Sequence, residues 1–232
     1  MHFDEWEPVY RAILADFGYE RAADERARDV LREYVEPFDL DRLDVSGDTV
    51  AVAGAGPSLT GELDAARDAD AVFAASTAAD DLLDAGVDVD CMVTDLDKNP
   101  ETARLLTDRG VPVAAHAHGD NVPAIHEHVP TFETANVLGT TQAEPRPPVE
   151  NVGGFTDGDR AAFLADHCGA ARLRFVGWDF DDPTLAQSKA KKLRWAERLL
   201  RWLEVRRDER FAVLDGRRDA VDLPEPVRPE DS

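Results

Sequence analysis

Five short blocks of this 232-residue chain combine glycines, carboxylates, imidazoles and ammonium groups in ways that solvation alone does not explain. In Thr94-Asp95-Leu96-Asp97 two carboxylates stand one residue apart. On an extended segment, side chains two apart point the same way, so Asp95 and Asp97 can meet one hard cation such as Mg²⁺. The run Ala115-His116-Ala117-His118-Gly119-Asp120-Asn121 crowds two imidazoles, a carboxylate and an amide into one stretch. His116, His118 and Asn121 suit phosphate oxygens, and Asp120 could complete the coordination of a metal held by Asp95 and Asp97. An H-x-H pair without further nearby Cys or His ligands argues against zinc.

Glycine and lysine supply the other three blocks. In Gly54-Ala55-Gly56-Pro57-Ser58-Leu59, Gly54 and Gly56 would let backbone approach a phosphate, with Ser58 capping a helix whose free N–H groups face it. This is neither a P-loop nor a full dinucleotide fingerprint, and a plain tight turn competes with the phosphate reading. In Gly153-Gly154-Phe155-Thr156-Asp157-Gly158-Asp159-Arg160, Phe155 offers a face to a planar ring. Thr156, Asp157 and Asp159 are either ligand-facing groups or ordinary helix caps. The last block is Gly177-Trp178-Asp179-Phe180, followed by three of the chain's four lysines, Lys189, Lys191 and Lys192. On a helix Lys189 and Lys192 share a face while Lys191 is turned about 100° from Lys192, so the first two are the candidates for binding polyphosphate, against a plain solvated basic face formed with Arg194, Arg198 and Arg201.

The elements that must position these blocks are read from hydrophobic periodicity. Apolar residues at Trp6, Val9, Tyr10, Ile13, Leu14 and Phe17, and again from Ala27 to Val35 before Pro37, predict an N-terminal helical pair over residues 1–47. Short apolar runs follow at Thr49–Ala53, Ala71–Ala75, Cys91–Thr94, Val111–Ala115, Asn136–Leu138 and Leu173–Gly177, with Phe211–Leu214 a late candidate strand. Amphipathic stretches lie between them at Leu59–Arg67, Pro100–Arg109 and Asp159–His167. The alternation predicts a doubly wound α/β domain over 48–221, with a mostly parallel sheet and helices on both faces. Ligands bind beyond the carboxyl ends of such strands, where the chemical blocks fall. The Pro- and acid-rich segment 222–232 reads as a disordered tail.

Composition bounds the function. With 48 Asp and Glu against 26 Lys and Arg, the formal charge of −22 disfavours nucleic acid and anionic membrane as partners. Asp in excess and Lys so scarce suit concentrated salt, where repulsion between carboxylates is screened within ~3 Å. Cys91 and Cys168 are too few for a disulfide framework, and no apolar run or leader suggests export or a membrane span, so a cytoplasmic protein is expected. The N-terminal helices could pack on the sheet or support a homo-oligomer.

The order GAGPSL, TDLD, HAHGDN, GGFTDGDRA and GWDF before SKAKKL, spanning about residues 49–203, resembles the archaeal 6-hydroxymethyl-7,8-dihydropterin diphosphokinase family, the MptE-like proteins. The resemblance implies a thiamine diphosphokinase-like catalytic domain and Mg²⁺-dependent transfer of diphosphate from ATP to the pterin hydroxymethyl group, in folate or methanopterin biosynthesis. It also implies metal-holding roles for Asp95, Asp97 and Asp120. ATP would meet Gly54, Gly56, Ser58, His116, Asn121, Lys189 and Lys192, and the pterin Phe155, Thr156, Asp157, Asp159 and Asp179. Asp120 and His118 are both open as the group that accepts the alcohol proton. Thiamine diphosphokinase, a glycosyltransferase-like enzyme and a non-catalytic nucleotide-binding module stay as alternatives.

Overall fold

The computed structural model describes residues 1–183, 185–224 and 227. Its centre is a six-stranded sheet, all parallel, built from β1 (Thr49–Ala53), β2 (Ala71–Ala75), β3 (Cys91–Thr94), β4 (Val113–Ala117), β5 (Val137–Thr141) and β6 (Arg172–Val176). The order across the sheet is β5-β4-β3-β2-β1-β6. β1 to β5 are almost wholly buried, which suits near-continuous Val and Ala runs covered on both faces, whereas the edge strand β6 is partly exposed.

Alternation along each strand divides the core in two. On β1, Val50 and Val52 join one cluster and Ala51 and Ala53 the other. The alanine-rich face carries α3 (Leu63–Arg67), α4 (Ala78–Asp84), α5 (Pro100–Asp108) and α6 (Val122–His128), the helices of the crossovers from β1 to β5. The opposite face carries α7 (Asp157–His167), which leads into β6, and the 21-residue α8 (Gln187–Arg207).

The N-terminal helices form and touch through Tyr10–Asp24 and Arg21–Glu7, but they do not pack as one layer. Gly18, at φ 69°, ends α1 (Phe3–Phe17), and α2 (Arg21–Leu31) then crosses to the other face. Trp6 of α1 stacks on Trp202 of α8 at 6.4 Å, while Ala27 and Leu31 of α2 enter the alanine-rich cluster with α6 and β4. The helices therefore straddle the sheet. A second correction concerns Phe211–Leu214, expected as a strand: Ala212–Leu214 is a 3₁₀ turn, with Phe211 and Leu214 buried in the core. Most of the expected disordered tail lies outside the described residues, but Leu223 and Val227 pack on the core. Among the described residues no helix is long and apolar enough to cross a membrane.

Candidate active site

The chain winds outward from β1 to β5 and then returns to lay β6 on the far side of β1. The loops leaving β1 and β6 therefore part at this switch point and leave a crevice between them. A cleft of about 670 Å³ opens there. Its walls come from the loops after β1, β2, β3, β4 and β6, the first turns of α7 and α8, and the α1–α2 turn.

Asp95 and Asp97 are brought together differently from the extended segment that the sequence suggested. Leu96, between them, is left-handed at φ 68°. Its side chain is buried and its N–H donates to Thr94 Oγ1 at 3.0 Å, contacts that hold a conformation costing ~1–3 kcal/mol in a non-glycine residue. The turn sets the two carboxyls within hydrogen-bond reach of each other. His118 Nε2 stands 3.5 Å from Asp95 Oδ2. Burial by itself would raise the Asp95 pKa, but hydrogen bonds from His118 and Asp97, with the Arg160 charge, hold it well below the ordinary range. Burial and the neighbouring Asp95 charge push Asp97 up.

A third carboxylate belongs electrically to this pair, and it is Asp157. Burial first, then the Asp95 charge, pushes Asp157 up to about 7 against the pull of Arg160, whose Nη1 lies 2.9 Å from Asp157 Oδ1. Asp120, expected as the third metal ligand, is exposed at the rim of the cleft. Among the described residues no group of three or more His, Cys, Asp or Glu side chains is arranged to hold a metal, so the expected three-carboxylate set is not formed. Two adjoining carboxylates that repel one another still fit a hard divalent cation. Mg²⁺ commonly takes one or two protein carboxylates and completes its shell with phosphate and water.

Several expected ligand residues turn out to build the site rather than line it. His116 remains inside β4 and is buried, its Nδ1 3.0 Å from Thr140 Oγ1, so it faces the core and not the cleft. Asn121 is also buried. Its Nδ2 donates to the carbonyls of Asp95 (2.8 Å) and His116 (2.6 Å), and its Oδ1 accepts from the His118 N–H (3.0 Å), which staples the β3 loop to the β4 loop. Asp159 is fully buried and accepts from the N–H groups of Phe155 and Thr156 and from Thr156 Oγ1, as the cap of α7. Ser58 gives both its N–H (3.0 Å) and its hydroxyl (2.8 Å) to Asp179 Oδ2. The helix end expected to face phosphate is thus a 3₁₀ turn, Pro57–Gly61, whose Ser58 donor is engaged within the protein. Phe155 reaches the cleft but is buried against Phe17, with ring centroids 5.1 Å apart, so its face is not open for stacking.

Gly54, Gly56, Thr156, Asp157, Asp179, His118, Lys189 and Lys192 do line the cleft. Lys191 does not: its Nζ donates to the Asp16 carbonyl at 2.6 Å, pairs with Asp16 Oδ1 at 3.0 Å and sits over the Phe17 ring. With Lys98, from the β3 loop, three of the four lysines of this acidic chain line one cleft.

Other lining groups were given no role from the sequence. Ser76 follows β2 with φ 50°, is buried, and has no protein partner for its hydroxyl. Asp24, from α2, accepts from Tyr10 Oη (2.7 Å), Gln142 Nε2 (2.8 Å) and the Gly119 N–H (2.8 Å). It thereby ties the N-terminal helices to the β4 loop. Trp178 donates Nε1–H to the Val52 carbonyl at 3.0 Å and lies between the glycine loops: a Cβ on Gly158 would stand 2.8 Å from its ring, and one on Gly54 3.3 Å from it.

The family model for 6-hydroxymethylpterin diphosphokinase MptE-like proteins matches residues 26–184. The 6-hydroxymethyl-7,8-dihydropterin pyrophosphokinase of Methanothermobacter thermautotrophicus is 37% identical over 91% of this chain and 99% of its own length. The protein of the same name from Pyrococcus furiosus is 39% identical over 88% and 95%, and that from Methanocaldococcus jannaschii 30% identical over 88% and 96%.

Proposed function

The chain belongs to the 6-hydroxymethylpterin diphosphokinase MptE-like family, and from that premise we propose that it transfers diphosphate from ATP to the hydroxymethyl oxygen of 6-hydroxymethyl-7,8-dihydropterin, with Mg²⁺ as cofactor and AMP as the second product. The observation that carries this reading is the concentration of Lys98, Lys189 and Lys192 around a cleft that also holds Asp95 and Asp97, in a chain of net charge −22. A repulsive global field makes local cations necessary for any polyanionic substrate.

Diphosphoryl transfer asks the protein mainly for position and charge. Asp95 and Asp97 would hold Mg²⁺, which supplies charge neutralisation on the phosphates. Lys189 and Lys192, from the first turns of α8, line the cleft and would hold the polyphosphate. The pterin would lie toward Asp157 and Thr156, with Tyr19 and Trp178 as the aromatic surfaces nearby. His118 and Asp157 both line the cleft, and either would take the hydroxyl proton. Asp157 is the group pushed close to neutrality, where a carboxylate can accept and return a proton.

The test is incubation of the protein with ATP, Mg²⁺ and either the pterin or thiamine as acceptor, with products separated chromatographically. AMP and pterin diphosphate in equal amounts are expected with the pterin alone. Absence of AMP, or formation of thiamine diphosphate, would overturn the assignment.

A further inference from the structure

Next to the cleft, and sharing Arg160 with it, a second and much smaller cavity of about 10 Å³ is lined by residues of β3, β4, β5, the 152–153 segment and α7. It is mostly apolar, walled by Val93, Ala114, Val152 and Leu164. Two polar atoms without any protein partner border it: His116 Nε2 and Arg160 Nε. Both residues are more than nine-tenths buried. Leaving a donor and an acceptor unmet in such surroundings costs ~1–3 kcal/mol each, so their placement at one cavity calls for an occupant.

The hydrogen bonds around His116 fix what that occupant must do. The Thr140 hydroxyl gives its hydrogen to the Ala115 carbonyl at 3.3 Å, so its oxygen accepts from His116 Nδ1 at 3.0 Å. This network assigns the ring proton to Nδ1 and leaves a lone pair at Nε2. Arg160 Nε can only donate. An occupant has to accept from Arg160 and donate to His116. A metal cation cannot accept from an N–H, a halide cannot donate, and water does both within the roughly 10–15 Å³ that a single molecule needs.

We propose that one buried water bridges Arg160 Nε–H to His116 Nε2, and that His116 is through it a positioning residue for the Arg160–Asp157 pair at the cleft. Arg160 then has a defined partner on each side: Nη1 holds Asp157 at 2.9 Å, Nη2 reaches Gln142 Oε1 at 3.4 Å, and Nε is fixed from the small cavity. The same guanidinium charge adds to the hydrogen bonds from His118 and Asp97 that keep Asp95 ionised. Burial together with the nearby Arg160 and His118 keeps His116 neutral, in agreement with an acceptor at Nε2. His116, expected from sequence to touch phosphate, would thus serve the site from the adjoining cavity.

The catalytic arm of the test rests on the pterin diphosphokinase reading, whereas its structural arm does not. In the full chain, ring ¹⁵N NMR is expected to show His116 protonated at Nδ1 and bare at Nε2, and high-resolution diffraction to show one solvent peak within hydrogen-bond distance of both nitrogens. The opposite tautomer, or a dry cavity, overturns the proposal whether or not the enzyme turns over. His116→Gln keeps an acceptor near the Nε2 position, and His116→Asn keeps only the contact toward Thr140. We expect His116→Asn to lower kcat by roughly 10-fold with little change in KM for ATP, and His116→Gln to restore most of it. Equal kcat in the two variants would show that the ring merely fills space. If neither folds, the tautomer and the solvent peak of the unaltered protein decide.

Discussion

Replacing the three clustered lysines of α8 one at a time by Gln should separate stability from turnover. Lys191 lies 3.0 Å from Asp16 Oδ1 and 4.4 Å from the centre of the Phe17 ring, with about a third of its side chain exposed. At that exposure the ion pair contributes at most ~1 kcal/mol and the cation–π contact ~0.5–1 kcal/mol. Lys191→Gln should therefore destabilise the fold by about 1 kcal/mol, a Tm lower by ~2–4 °C for a chain of this size, with kcat/KM nearly unchanged. Lys189 and Lys192 are exposed on the cleft wall and add little to folding. If each donates to a phosphate oxygen, losing that charge-assisted bond costs ~1.5–3 kcal/mol, a fall of roughly 10- to 150-fold in kcat/KM at constant Tm. Thermal denaturation without ligand and steady-state kinetics in ATP measure the two effects separately. Equal and small kinetic effects at all three positions, or a kinetic loss at Lys191 matching the other two, would refute the assignment of the cleft-facing pair.

Asp95→Asn keeps size and removes charge at the carboxylate pair, and should lower kcat at least ~100-fold without unfolding the protein, whereas Asp120→Asn should leave the Mg²⁺ dependence of the rate unchanged. Normal turnover of Asp95→Asn at limiting Mg²⁺ would place the metal elsewhere. Asp157 titrates near 7 in the fold against an ordinary 3.8, so the folded state holds the extra proton in between and stability falls as pH rises through that window, levelling above it. Asp157→Asn removes that loss: between pH 5 and pH 8 the ligand-free Tm should drop more in the unaltered protein than in the variant, and parallel profiles would contradict the cause assigned here. The excess of acidic residues predicts that Tm climbs from dilute buffer to molar KCl, which a flat or falling melting curve would rule out.

Sequence periodicity located β1, β2 and β3 to the residue, because each is a short apolar run closed by glycine, Ser or Asp. It ended β4 at Ala115, two residues early, since His116 does not look like a core residue. That shift explains the misplaced imidazole. A residue still within a strand points into a sheet face, while His118, past the strand end, is free to turn into the cleft. Phe211–Leu214 misled for a different reason: a run of four apolar residues fits a buried strand and a buried turn equally well. The acidic and basic groups of the site were legible because they cluster at strand ends, but their roles were not. Asp157 and Asp159 lie two apart in the first turn of α7, and only the path of the backbone decides that Asp159 closes the capping box with Thr156 while Asp157 faces the cleft. Ser76 gave no warning, because a left-handed φ on a serine leaves no mark in composition or spacing.

Trp178 gives the glycines around it unequal freedom to change over evolution. At Gly158 the obstacle to a larger residue is the Trp178 ring, 2.8 Å from where a Cβ would sit. At Gly54 it is also the backbone oxygen of Gly177, at 2.7 Å, and no side-chain exchange removes a carbonyl. Gly158 is thus negotiable, and a lineage that trades Trp178 for a smaller residue gains room for alanine there. Gly54 is not, so the two positions should drift under different rules: Gly158 in step with position 178, and Gly54 only where the β1 and β6 loops themselves move apart.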